Sequence, residues 1–400
     1  MMTWQDCIKE TAKNNPDLIV AAETINQSQA SKLITTSGLY PQINANAGAG
    51  ETNTKLKNQE STATNSFSYG VSGSLLLFDG LKSSYNVKAA GQNIISAQES
   101  YRFSSSDIRL QLRTAFVDLL KAQDSIKVSE DISKIREDSL KLITLRYKAG
   151  LEHRGALLNA QASMTQAKFD LDQAIRNLEL AQRELNKIMG RQEFAPVKVD
   201  GALGVKETFE KAPDFKALAQ NHPSVKQAMA KKNSADFSLK ATRANYYPEV
   251  SLQTGANKTG ADWPPGNRGL SAQLVVSMPL FEGGLRSAEV SQAESVLRQN
   301  EAQLRSTKDG VILNLEQKWE SFREAVEAVE ASKESLAANE ERSKIAEAQY
   351  STGFVTYDNW TIIEDNLVQS KRSYLNAQAN AVLAEAQWVN AKGETLEYAN

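Results

Sequence analysis

A helical pattern runs without a proline from Leu81 to Ala149, and the chain contains a second stretch built the same way. At about 1.5 Å per residue such a pattern makes a helix on the order of 100 Å long, far more than a globular core requires. Before it, Phe67, Tyr69, Val71, Leu75 and Leu77 alternate with Ser68, Gly70, Ser72 and Ser74. A period of two is a β-strand with one apolar and one polar face. The period changes at Phe78-Asp79-Gly80, and the helical stretch ends at Tyr147-Lys148-Ala149-Gly150. The second copy alternates through Leu270, Ala272, Leu274, Val276, Met278 and Leu280. It then turns at Phe281-Glu282-Gly283-Gly284 and runs as a helix to Tyr350-Ser351-Thr352-Gly353.

The duplication organises the whole chain. Pro16 matches Pro223, Tyr40-Pro41 matches Tyr247-Pro248, Phe78 matches Phe281 and Gly150 matches Gly353. The offset is 207 before the hairpin loops and 203 after them, and all other spacing is kept, which implies rigid elements of fixed length in two tandem halves. The expected division is a first repeat at 1–205, with helices, a β-hairpin at 42–80, a long helix at 81–149, a return helix at 154–189 and a linker. The second repeat, 206–400, has helices that include one over Lys206–Gln220, a hairpin at 248–281, a long helix at 284–350 and a return helix at 356–392. Asn15-Pro16 restarts a helix, since proline suits the first helical position, and Thr3 is placed to cap the helix before it. Gly190 stands where a helix ends in a left-handed residue. The helix before each hairpin and the return helix together nearly match one long helix, so they are expected to stack end to end. Heptad stripes such as Ile94, Tyr101, Ile108, Ala115 and Ala122 favour near-parallel packing over long distances.

Charge and composition exclude several function classes. The net charge is −2, which gives no electrostatic case for nucleic acid. No run approaches 18 apolar residues, so a membrane role would have to go through β-strands. No signal peptide precedes Trp4, which leaves either an export signal cut from this sequence or a cytoplasmic protein. With only His153, His222 and Cys7, no His/Cys metal set or Cys–His dyad can be assembled, and neither cofactor nor catalysis is expected. His153 reads as a surface residue at a turn and His222 as a helix-start residue. Gly48-Ala49-Gly50 lacks the third glycine of a phosphate loop and sits within a strand.

Four amphipathic strands are too few to close a barrel, and open edges cannot face lipid. Several chains together can close one. A strand of about 11 residues tilted near 45° spans the apolar band of an outer membrane. The face Phe67, Tyr69, Val71, Leu75, Leu77, with Leu274 and Val276, is therefore expected to meet lipid, and Ser68, Ser72 and Ser74 to line water.

The paired motifs Asn14-Asn15-Pro16 and Asn221-His222-Pro223, Tyr40-Pro41-Gln42-Ile43 and Tyr247-Pro248-Glu249-Val250, Leu77-Phe78-Asp79-Gly80 and Leu280-Phe281-Glu282-Gly283, and the turns at Gly150 and Gly353 resemble the TolC-like outer-membrane efflux protein family over essentially the whole chain. The resemblance implies a mainly α fold with a small β part. Long antiparallel helical hairpins would form a trimeric α-barrel, and four strands per chain would join a 12-stranded outer-membrane β-barrel. It implies a homotrimer in the bacterial outer membrane with a periplasmic extension, docking on a periplasmic adaptor fed by an inner-membrane pump. Tyr147, Gly150, Leu151, Tyr350, Gly353 and Phe354 would form the docking tip. Family members often place an aspartate six positions after the tip glycine; here those positions hold Ala156 and Asn359. Asp358, Asn359, Ile362, Glu364 and Asp365 are then the candidates for the tunnel entrance: Asp358, Glu364 and Asp365 either supply acidic character or form a solvated helix face, and without an acidic ring the gate is apolar or amide-lined. Competing readings are a soluble coiled-coil scaffold or adaptor without a pore, which leaves the alternating strands unpartnered, and an enzyme, for which no polar cleft is apparent.

Overall fold

The structure, a computed structural model, describes residues 1–55, 57, 61–205 and 212–398. Its described elements follow one plan twice. Helices α1 (Trp4–Asn14) and α2 (Pro16–Ser37) lead to strands β1 (Gln42–Thr54) and β2 (Thr62–Phe78), then to α3 (Lys82–Lys148) and α4 (Arg154–Ile188). Helices α5 (Phe215–Asn221) and α6 (Pro223–Ala244) lead to β3 (Glu249–Gly260) and β4 (Asn267–Ser277), then to α7 (Leu285–Ser351), α8 (Tyr357–Ala391) and a final 3-10 turn, Leu396–Tyr398. Three of the four corresponding pairs of helices have equal lengths: 22 residues in α2 and α6, 67 in α3 and α7, 35 in α4 and α8; α1 has 11 and α5 has 7. Each 67-residue helix is about 100 Å long at the standard rise.

Two boundaries differ from expectation. Strand β4 stops at Ser277 rather than continuing to Phe281. Pro279 has no N–H to give to the ladder and restricts Met278 before it, so the alternation of Met278 and Leu280 carries no strand. The helix expected from Lys206 begins at Phe215, capped by Asp214, whose carboxylate accepts from the N–H groups of Lys216 and Ala217. Residues 206–211 lie outside the described ones.

The chain divides into two compact units that cut across the two halves: Met1–Ala22, Ser100–Pro223 and Lys308–Asn400 form one, and Glu23–Glu99 and Ser224–Thr307 the other. The first unit holds the described hydrophobic clusters. The largest gathers Cys7, Ile8, Leu18, Ile108, Leu112, Phe116, Leu119, Leu185, Met189, Val197, Val199 and Leu203. Val197, Val199 and Leu203 belong to the segment 191–205 read as a linker. That segment is a strap packed into the core, and Gln123 clamps it by donating to the Val199 carbonyl and accepting from the Val199 N–H. In this unit helix meets helix end to end in both halves. Asn15 donates to the Ile188 carbonyl at 2.8 Å, so the start of α2 abuts the end of α4. Gly190, at φ +73°, sits so close that an added Cβ would lie 2.3 Å from the Asn14 carbonyl oxygen; only glycine fits there. Gly393 closes on Pro223 in the same way. His222 at that junction is buried, and burial pushes its imidazole down to about 4, so it stands neutral against Phe103.

The second unit carries one antiparallel sheet in the order β1-β2-β3-β4. Helix α6 packs on α3 here, with Ser234 donating to the Ala89 carbonyl and Asn233 to Gln92. Arg243 pairs with Glu294 at 2.8 Å.

Candidate functional site

The register of the sheet sorts its side chains onto two surfaces, because residues directly opposite on neighbouring strands share a face. One row reads Leu75–Leu252–Leu274, and another Ala45–Val71–Ala256–Leu270. Ala47–Tyr69–Lys258–Arg268 forms a third. The alternate rows are Gln42–Ser74–Gln253–Gln273, Asn44–Ser72–Gly255–Ser271 and Asn46–Gly70–Asn257–Gly269. One surface is thus mainly apolar, broken by Thr254, Lys258 and Arg268, and the other is mainly small and polar, with Leu76 and Val275 as its large apolar members. Phe67, Tyr69, Val71, Leu75, Leu274 and Val276 all fall on the apolar one. Leu77 does not hold the place expected of it. The ladder shifts between Leu76 and Phe78, and Phe78 rather than Leu77 stands opposite Val250. Leu252 and Ile43 extend the apolar surface, and only the cross-strand register reveals them as its members. Among the described residues, strands β1 and β4 each lack a neighbour on their outer side.

At the helical turns of the first unit the two halves use one device. Gly150 (φ +74°) donates to the Tyr147 carbonyl and Leu151 to that of Arg146; Gly353 (φ +81°) donates to Tyr350 and Phe354 to Gln349. This is the Schellman arrangement, which satisfies the last carbonyls of each long helix and needs a left-handed residue at the glycine. Its usual companion is an apolar contact made by the residue after the glycine. Here those residues point outward: Leu151 is 65% exposed and Phe354 85%. Tyr147 is also exposed.

Tyr350 is a correction. Expected on the docking edge, it is 1% exposed and forms the core of the turn region. Its ring stacks on Trp360 at 4.4 Å between centroids, and Arg146 lies over it at 4.7 Å. Its hydroxyl donates to Glu152 at 2.7 Å. Burial, then the Glu152 carboxylate, push its phenol well up. Ala156 is fully buried in the same cluster with Ile143, Ala160, Ala346 and Tyr357, which explains why an uncharged residue stands there. His153 caps α4, its Nδ1 accepting from the Ala156 N–H at 3.1 Å.

The residues expected at the gate separate by helical face. Asp358, Ile362 and Asp365 follow one another at spacings of four and three along α8, and with Asn359 they are exposed. Glu364 is the second correction. It shares the opposite face with Trp360 and Leu367 and is buried. Arg136 of α3 donates to Glu364 at 3.1 Å and to Asp365 at 2.5 Å, and the Ser139 hydroxyl donates to Glu364 at 2.6 Å. Burial raises the Glu364 carboxyl above its usual range, opposed by Ser139 and Arg136. Higher on α8, Lys371 faces Asp131 of α3 at 3.8 Å and Arg372 pairs with Asp170 of α4. Helix α8 of the second half is therefore tied by charge to both long elements of the first. Nothing in the sequence singled out Arg136, one of many charges in a 67-residue helix.

Among the described residues no group of three or more His, Cys, Asp and Glu could hold a metal, and no helix is long and apolar enough to cross a membrane. Cys7 is buried, and burial pushes its thiol up to about 11.

Comparison with known proteins agrees with this geometry. Residues 7–191 and 215–395 each match the family model described as "Outer membrane efflux protein". The chain is 22% identical to outer membrane efflux protein BepC of Brucella suis, over 98% of this chain and 87% of that one. It is 23% identical to cation efflux system protein CusC of Escherichia coli, over 92% and 81%. The crystal structure of the outer membrane protein VceC from Vibrio cholerae superposes with a TM-score of 0.83 at 17% identity, covering 98% of this chain and 96% of that one.

Proposed function

The chain belongs to the outer membrane efflux protein family, and from that premise we propose that it is the exit duct of a tripartite efflux or type I secretion system. It is a passive channel of the outer membrane rather than an enzyme. The observation that carries the reading is the sheet: apolar on one surface, polar on the other, and unpaired at both edges. An apolar surface of this extent needs lipid or another protein to cover it, and unpaired edges need strands. Both needs are met when β4 of one copy pairs with β1 of the next. Three copies of four strands give twelve, within the range of outer-membrane barrels. A soluble scaffold leaves both needs unmet. The halves 1–205 and 206–400 are read as repeats of one plan, with the helical hairpins extending into the periplasm as a tunnel. Its partners are then a periplasmic adaptor at the tip and, through it, an inner-membrane pump.

Light scattering after size exclusion in detergent should give three times the chain mass, and planar bilayers should show conductance. A stable monomer with intact β-signal overturns the duct. The faces have their own test. Arg at Leu75, in an all-leucine row, is expected to cost about 2–4 kcal/mol of barrel stability mid-band, whereas Arg at Ser74, between Gln42 and Gln253, should be tolerated. Equal membrane insertion of the two variants would reverse the assignment.

A further inference from the structure

Lys258 and Arg268 stand directly opposite each other on β3 and β4, in the row that also holds Tyr69 and Ala47. This row belongs to the apolar surface. Two like charges opposite one another oppose strand pairing, and two cations on a lipid-facing surface are costly as well. Neither has an ion pair with a described residue, and both are exposed. Within the described strands the only carboxylates are Glu51 and Glu249. Glu249 sits at the opposite end of β3. Glu51 shares the surface but lies two rows beyond Ala47, on the far strand of the sheet.

The position along the strand gives the pair a purpose. From Val250 to Lys258 is eight steps of β3, about 27 Å of strand, or roughly 20 Å along the membrane normal at the usual tilt. The row below the pair is Ala45–Val71–Ala256–Leu270, wholly apolar. The ring of Trp263, 67% exposed, lies 5.9 Å from that of Tyr69 and 6.1 Å from that of Phe67. Lys258 and Arg268 therefore sit at the level where acyl chains give way to headgroups, on the side of the hairpin loops.

We propose that Lys258 and Arg268, with Tyr69 beside them, form a clamp for the phosphate-monoester headgroup of an outer-leaflet lipid, whose acyl chains lie along Leu270, Ala256 and Val71. A phosphate oxygen bridging the ammonium and the guanidinium turns their repulsion into two charge-assisted hydrogen bonds. The headgroup thereby fixes the depth of the sheet in the bilayer. The inference rests on this surface meeting lipid, which the Leu75 and Ser74 variants test separately.

The experiment uses the full chain purified in detergent, with lipid A as the phosphate-monoester probe and phosphatidylcholine as the zwitterionic control. Bound lipid is counted by native mass spectrometry. Wild type should retain lipid A in preference to phosphatidylcholine, and millimolar inorganic phosphate should not displace it. Lys258→Gln with Arg268→Gln should weaken lipid A retention at least about ten-fold and leave phosphatidylcholine binding unchanged. The charge-preserving exchange Lys258→Arg with Arg268→Lys should keep it. Equal retention of lipid A by wild type and the double glutamine variant overturns the clamp, and displacement by inorganic phosphate reduces it to a free-anion site. Loss of the oligomer in both the glutamine variant and Glu51→Gln would assign the cations to a neighbouring copy's Glu51 and refute the lipid.

Discussion

Replacing Arg136 by methionine is expected to destabilise the region around α3 and α8 by about 3–5 kcal/mol at neutral pH, the usual cost of leaving one partner of a buried ion pair alone. The side chains of Arg136 and Glu364 are only 10% and 9% exposed, so water cannot take over the role of the guanidinium. Glu364 would keep a single hydrogen bond, from Ser139. Asp365 contributes little to the loss, because its side chain is 60% exposed and already solvated. The pH dependence follows from the direction of the shift. Burial raises the Glu364 carboxyl above its unfolded value, so the stability it contributes is present at low pH and is lost as pH rises through the raised value. Removing Arg136 raises that value further, and the variant should recover part of its stability on acidification. Arg136→Met combined with Glu364→Met should recover most of it at neutral pH, since an apolar pair carries no desolvation cost. Amide exchange over residues 132–144 and 359–368 reads the opening directly. Unchanged protection in the single variant would show that the pair contributes nothing.

Exchanging Leu151 and Phe354 for aspartate is expected to abolish transport and adaptor crosslinking while leaving oligomer and barrel intact. Both side chains are exposed, and only their backbone N–H groups serve the turns. An aspartate there keeps the Schellman bonds and meets solvent, so folding is little affected. Apolar anchors at the centre of a contact are each worth about 2 kcal/mol or more, and losing both lowers docking affinity by roughly three orders of magnitude. Tyr350→Ala supplies the contrast. It removes the ring between Arg146 and Trp360 and should loosen the turn region itself, with transport and stability falling together. Full transport by the Leu151 and Phe354 variant, or loss of its oligomer, would remove the tip from the docking surface.

The two corrections at the tip share a cause. Tyr350 and Tyr147 occupy the same place before their glycines, yet one is a core residue and the other is exposed. Local pattern could not separate them, because the difference lies in what packs above: Trp360 and Arg146 enclose Tyr350. Glu364 and Asp365 are neighbours in sequence, and a turn of about 100° per residue puts one in the core and the other in water. The hidden core role of the strap 191–205 has a similar origin: its buried Val197, Val199 and Leu203 are spaced too irregularly to show a period.

What the sequence alone determined is what local chemistry dictates. Alternation fixed the two faces of β2, the absence of proline allowed two helices of 67 residues, and Gly150 and Gly353 set their ends, as Gly190 set that of the first return helix. The duplication made each reading twice and so made the family legible. The rest depends on residues distant in sequence meeting in the fold: the row Tyr69–Lys258–Arg268, the bulge that exchanges Leu77 for Phe78, and the bond from Arg136 to Glu364 across 228 positions. Periodicity records which side of its own element a residue occupies. Which neighbour covers that side is a property of packing, and for a charged residue the neighbour decides between a solvated surface and a buried pair.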